Sequence, residues 1–298
     1  MIKRQYTLLL LIPAMGLLSC LRDEYPPCLP LTVEIGVADR NFSNISDVEG
    51  VGVVSDKAPL KEIVKSMCMR LEDYSTGALI EQRTITTQGE EPVMQVAFND
   101  SLPYGQYIVT VWGNPAKEPQ IVADGTTRYE FNPSGGSADD LFVCRDTITY
   151  TAGGKVPEIL LRRTKGMLLV GTVNMPSYIS SVRMIANGLR ETVDDNLSYS
   201  GSMDWSGTLP VASADISAPT VYTPILLPPS VKAGATEIVS RYYSDGTLMQ
   251  LVSGVKVNIE RNKVTQLRYE WDDSQNVKIY INVDGEWEKV TSLDIVEQ

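Results

Sequence analysis

The chain has 298 residues, with 26 lysines and arginines against 37 aspartates and glutamates, no histidine, and a formal charge of −11. So acidic a surface repels nucleic acid and anionic lipid. The missing histidine excludes Ser-His and Cys-His catalysis, histidine-ligated metal centres and histidine pH switches.

Residues 1–19 open on Lys3 and Arg4 and continue as an apolar run from Thr7 to Leu18, broken by Pro13 and Gly16. This is the layout of a secretory signal peptide, and its apolar stretch falls short of the roughly 20 residues a spanning helix needs. Leu17-Leu18-Ser19-Cys20 has the form of a lipobox, so the expectation is cleavage before Cys20 and lipid attachment at the Cys20 sulfur. At about 0.8 kcal/mol per buried methylene, two or three acyl chains hold a protein stably to a bilayer. Loss of Lys3 and Arg4 with the signal takes the charge from −11 to −13. Tyr25-Pro26-Pro27 and Pro30 then predict a stiff, extended tether over 20–30.

Period-two alternation begins at Leu31 to Val37 and recurs along the rest of the chain, which predicts strands. Met67, Met69 and Leu71 share one face of the next, with Cys68, Arg70 and Glu72 opposite, before the turn residues Asp73 to Gly77. Further strands are expected at Val93 to Phe98, Gln106 to Trp112 and Thr147 to Thr151. Short helical turns are expected near Pro59 to Lys65 and Ser137 to Leu141. The break at Ala152 to Pro157 suggests a domain boundary. Beyond it, strands are predicted at Ile159 to Arg162, Met167 to Val173, Ser181 to Ile185 and Val221 to Leu227. Asp245-Gly246 and Asp284-Gly285 then mark two hairpins, Glu237 to Tyr243 with Thr247 to Ser253, and Val277 to Val283 with Trp287 to Val290. Short strands at intervals of about ten residues favour antiparallel sandwiches. The expected fold is all-β, two tandem β-sandwiches over 31–155 and 156–298.

No motif for catalysis or a cofactor is present: there is no GxSxG, P-loop or EF-hand run, and Gly50-Val51-Gly52 lacks the third glycine of a dinucleotide site. Cys28, Cys68 and Cys144 form no CxxC pair, which argues against a metal site, and they allow at most one internal disulfide among three pairings. The pairs Asp139-Asp140, Asp194-Asp195 and Asp272-Asp273 supply carboxylates of the kind a glycosidase uses, but they sit beside turn residues and read as solvated loop charge. Trp205, Trp271 and Trp287 are candidates for a sugar platform, set against ordinary core packing.

Several segments resemble the fimbrial anchor lipoproteins of Bacteroidota, the minor subunits of type V pili. They are the lipobox followed by Cys28-Leu29-Pro30-Leu31-Thr32-Val33, the stretch Met67 to Leu79, Pro103 to Asn114 with its Tyr107 and Trp112-Gly113, Asp140-Leu141-Phe142, and Leu160-Leu161-Arg162-Arg163 running on to Val170. Arg22-Asp23-Glu24 resembles the signal that sends lipoproteins of that phylum to the outer face of the outer membrane. The resemblance implies two transthyretin-like sandwiches and no enzymatic activity or cofactor. It also implies attachment of a fimbria to the outer membrane through strand complementation with a stalk subunit, and control of fimbrial length. Within it, the segment Val277 to Val290, with Val277, Ile279, Ile281 and Val283 on one face, is the expected strand or edge for the first stalk subunit. The alternative is a surface glycan-binding lipoprotein of a polysaccharide-utilisation system.

Overall fold

A computed structural model describes residues 30–98, 102–123, 125–133, 140–209, 220–272, 274, 276–290 and 294–296. The expected all-β sandwich architecture is what it shows.

The first sheet has the order β3-β2-β5-β8-β9-β1-β4. Its strands are β1 (Thr32–Val37), β2 (Ser66–Asp73), β3 (Leu79–Thr86), β4 (Met94–Ala97), β5 (Gly105–Gly113), β8 (Phe142–Tyr150) and β9 (Glu158–Arg163). The sheet folds over on itself, because Arg83 at one end of this order donates to the carbonyl of Ala97 at the other. Leu31, Val33 and Ile35 thereby pack with Met67, Met69, Leu71, Val109 and Val111 in one core. β1 runs parallel to β9 and antiparallel to β4. One helical turn, α1 (Leu60–Ile63), leads into β2 and buries Leu60.

Two further sheets face each other in the second half. One has the order β15-β10-β18-β19-β20 and the other β14-β11-β16-β17-β21. The first is made of β10 (Gly166–Val173), β15 (Thr220–Leu227), β18 (Val264–Trp271), β19 (Val277–Val283) and β20 (Glu286–Lys289). The second is made of β11 (Ser181–Leu189), β14 (Met203–Leu209), β16 (Thr236–Ser244), β17 (Thr247–Val257) and β21 (Asp294–Val296). Their shared core centres on Tyr242, which stands edge-on to Trp271 at 5.0 Å, with Tyr269, Leu168, Ile238 and Trp205 around it.

A small fourth sheet, β13-β12-β7-β6, draws on both halves. β6 (Gln120–Ile121) and β7 (Thr127–Glu130) come from the first, β12 (Thr192–Asp194) and β13 (Tyr199–Ser200) from the second. Tyr129, Phe131 and Val193 close over Cys68, Trp112 and Val143 on the outer face of the first sheet. β2 is thus buried on both faces rather than on the one its alternation suggests.

The break at Ala152 to Pro157 is a wide loop inside the first sheet and not a junction between sheets. β9 follows it and is paired with β1 and β8, so residues 156–163 pack with the first core rather than with the second. The expected turn at Ser137 to Leu141 lies mostly outside the described residues.

Candidate functional site: the junction and the sheet edges

Cys20, the expected lipid site, and Cys28 lie outside the described residues. Cys68 and Cys144 are free and sit on opposite faces of the first sheet, Cys68 under the β7–β12 cover and Cys144 against the inner core. That separation excludes a disulfide between them. Burial raises both thiols above the usual range, Cys144 to about 11, so neither is an activated nucleophile.

The three tryptophans do not form a platform. Trp205 and Trp271 are each 4% exposed within the second core. Trp287 is partly exposed on β20, and the guanidinium of Arg268 lies 4.3 Å from its ring centre and 5.0 Å from that of Tyr280. Asp139 and Asp273 lie outside the described residues; Asp140, Asp194, Asp195 and Asp272 are held by hydrogen bonds, Asp195 in a buried site and not as solvated loop charge. Asp195 has a fully buried side chain that accepts from the Thr127 amide at 2.6 Å, the Thr127 hydroxyl at 2.7 Å and Arg145 at 3.2 Å. Asp194 and Asp272 accept from backbone amides in their own turns. Among the described residues no cluster of three potential metal-ligating side chains occurs.

The segment Val277 to Val290 forms an inner strand, β19, and the edge strand of its sheet, β20. β19 is an inner strand, paired with β18 on one side and β20 on the other. Val277 and Ile279 are buried in their own core, Ile281 packs partly against it, and Val283 is 41% exposed. The available edge at this end of the sheet is β20.

What the sequence reading missed is the junction of the halves. The loop after β1 crosses the second half and is bonded there by side chains that imitate a strand. Asn44 donates to the Val264 carbonyl at 2.9 Å and accepts from the Val264 amide at 2.8 Å. The Ser43 amide donates to Asn262 at 2.8 Å. Gln266 donates to the Glu49 carbonyl at 3.0 Å, and the Tyr222 hydroxyl donates to the Glu49 carboxylate. Phe42, Val48 and Val51 pack here with Leu169, Val264 and Tyr222.

Arg163 is the centre of this junction. The β9 pattern places Ile159, Leu161 and Arg163 on the buried face, so its side chain enters the protein at the last turn of the strand. Its Nε lies 2.9 and 2.8 Å from the two oxygens of Asp140, its Nη1 donates to Asn262 at 2.6 Å, and its guanidinium lies 4.1 Å from the centre of the Phe42 ring. Asp39 joins the same network, accepting from the Arg163 amide at 3.0 Å and from Arg261 at 2.7 Å. Burial pushes the Asp140 carboxyl above its ordinary value even against the pull of Arg163. The arrangement satisfies buried charge and fixes one half on the other; it offers no nucleophile and no acid–base pair in an open pocket.

No protein-family model matches the sequence, and no curated protein matches it. Solved structures do. A candidate adhesin from Bacteroides ovatus superimposes with a TM-score of 0.57 at 10% identity, over 88% of this chain and 95% of that one. A structure from Bacteroides thetaiotaomicron described as a candidate polysaccharide-binding protein gives 0.56 at 12% identity, over 88% and 98%. The fimbrial anchor protein Mfa2 from Porphyromonas gingivalis is more distant, at 0.45 and 11% identity over 87% and 98%. The chain therefore has the fold of the Bacteroides structures described as adhesins and polysaccharide-binding proteins, with a fimbrial anchor protein among its structural neighbours.

Proposed function

We propose that the chain is a non-enzymatic surface protein that fixes a type V fimbria to the outer membrane, held by lipid on Cys20 and joined to a stalk subunit by strand complementation. The observation that carries this reading is the position of β1. The first strand after the tether is not a loose arm but an inner strand, with β9 on one side and β4 on the other and with Val33 and Ile35 fully buried. The lipid-bearing end of the chain is therefore continuous with the first core. The body comprises two units that divide at Thr164-Lys165 and are joined across that point by the Arg163–Asn262 and Asp39–Arg261 contacts. Neighbours described as adhesins share the fold and support a place at the cell surface.

The test is Cys20→Ala. The variant should shed fimbriae into the medium while the protein remains folded; fimbriae that stay cell-bound at wild-type levels would remove the anchor reading. A second reading, glycan binding, keeps Trp287 as its remaining partly exposed ring and a neighbour described as polysaccharide-binding as its support. Binding to a panel of polysaccharides, abolished by Trp287→Ala, would favour it instead.

A further inference from the structure

The first sheet is open along one seam. β8 is paired with β5 over its whole length, yet it meets β9 only at Phe142–Arg163 and Val143–Arg162. From Cys144 onward the two strands diverge toward the loop 151–157, and among the described residues no strand lies between them.

Strand parity says which backbone groups face the gap. The Asn114 amide donates to Ser66 and the Gln106 carbonyl accepts from Tyr74, so even-numbered residues of β5 turn their backbone groups toward β2. Their β8 partners Arg145, Thr147 and Thr149 form non-hydrogen-bonded pairs with β5 and direct N–H and C=O outward, into the gap. Across it, Pro157 and Leu161 accept from Glu34 and Ala38 on the β1 side, which turns the backbone groups of Glu158 and Leu160 toward β8. A makeshift contact occupies the β8 edge: the Thr147 amide donates at 2.7 Å to the side chain of its neighbour Asp146.

The gap has volume and a charge. A cavity of about 700 Å³ lies in it, with Glu34, Asp146 and Glu158 on its walls against Lys155. A second cavity, of about 310 Å³, adjoins it and shares Thr149, Lys155, Val156 and Pro157. Val156, 42% exposed, lines both.

We propose that this seam is a strand-acceptor site for an extended segment of a partner protein that carries apolar residues on one face and lysine or arginine on the other. The entering strand pairs with β8 and β9 together and takes the Thr147 amide from Asp146, while Glu34 and Glu158, on the outer face of the sheet, meet its basic side chains. At about 3.3 Å per residue the open edge from Cys144 to Tyr150 accepts roughly 20 Å of strand. The inference rests on the fimbrial reading for the partner being a pilus subunit, but the acceptor chemistry stands on the seam itself.

The probe is a synthetic peptide of about nine residues that alternates valine with lysine, with glutamate in place of lysine as the counterpart, titrated against the mature protein by fluorescence polarisation. The lysine peptide should bind, and the glutamate peptide at least about tenfold more weakly. Thr147→Pro removes an N–H that faces only the gap, so it should weaken the lysine peptide about tenfold or more while the melting temperature holds. Glu158→Lys, at an exposed position, should do the same through charge and serves if the proline variant does not fold. A wild-type protein that binds neither peptide, or variants that bind the lysine peptide at full strength, overturns the proposal. Capture of pilus subunits by the wild-type protein separates the two ideas: capture without peptide binding sinks the seam and leaves the anchor, whereas peptide binding without capture sinks the anchor and leaves the seam.

Discussion

Arg163→Met tests the buried charge network beside the junction of the halves. The wild-type guanidinium is 4% exposed and its partner Asp140 22% exposed, so the substitution leaves a largely buried carboxylate with its principal cation gone. Breaking such a pair from one side costs about 3–5 kcal/mol, and the residual exposure of Asp140 favours the lower end, about 3 kcal/mol. The Asn262 bond and the Phe42 contact go with it. For a chain of this size that loss lowers the melting temperature by about 6–12 °C, and urea unfolding should show it as a shifted midpoint. Because most of the cost is the orphaned charge, the double variant Arg163→Met with Asp140→Asn should recover about 1 kcal/mol relative to the single one. A single variant that loses under about 1 kcal/mol, or a double variant no better than the single, would refute the account of the junction.

Two other outcomes are expected. Gly166 opens β10 where the chain passes Glu260 so closely that an added Cβ would lie 2.2 Å from the Glu260 carbonyl oxygen, so Gly166→Ala should destabilise by at least about 2 kcal/mol in the same urea assay. Asp73 accepts from the amides and hydroxyls of Ser75 and Thr76, and these bonds hold its carboxyl below the ordinary 3.8. Its folded value is depressed, so its contribution is present above 3.8 and is lost as pH falls through the folded value. Asp73→Asn should therefore melt lower than wild type near about pH 6, with the gap closing toward about pH 2; a pH-independent gap would remove the carboxylate from the explanation.

Strand positions were legible wherever one face of a strand is buried. The hairpins marked by Asp245-Gly246 and Asp284-Gly285 are present, with both residues of each turn at positive φ, 46° and 84° in the first, 50° and 89° in the second. β18 carries the same alternation, with Leu267, Tyr269 and Trp271 on one face and Arg268 and Glu270 on the other. Gly153, Gly154 and Pro157 announce a chain reversal but carry no information about which sheet receives the next strand, hence the misplaced boundary. The small fourth sheet has strands of two to four residues, too short for any period to show. Arg163 did leave a trace, as an arginine in phase with Ile159 and Leu161 on the buried side of β9. A charge in an apolar phase points to a buried partner, though alternation cannot say that Asp140, Asn262 and Phe42 supply it.

The parallel pairing of β1 with β9 has a mechanical consequence. β1 is entered from its N-terminal end, while β9 leaves through its C-terminal end into β10 and the second half. Under the proposed anchoring, tension between the N-terminal end of the chain and a body attached to the second half would draw the two strands past each other along their length. The register Glu34–Glu158 through Val37–Leu161 is then strained in shear, with its hydrogen bonds sharing the force, instead of being peeled open one bond at a time. Forced rupture is governed by the rate of unfolding rather than by equilibrium stability, and a shear-loaded pair raises that barrier. A short parallel strand at the N-terminal entry to the fold is thus a fastening suited to being pulled.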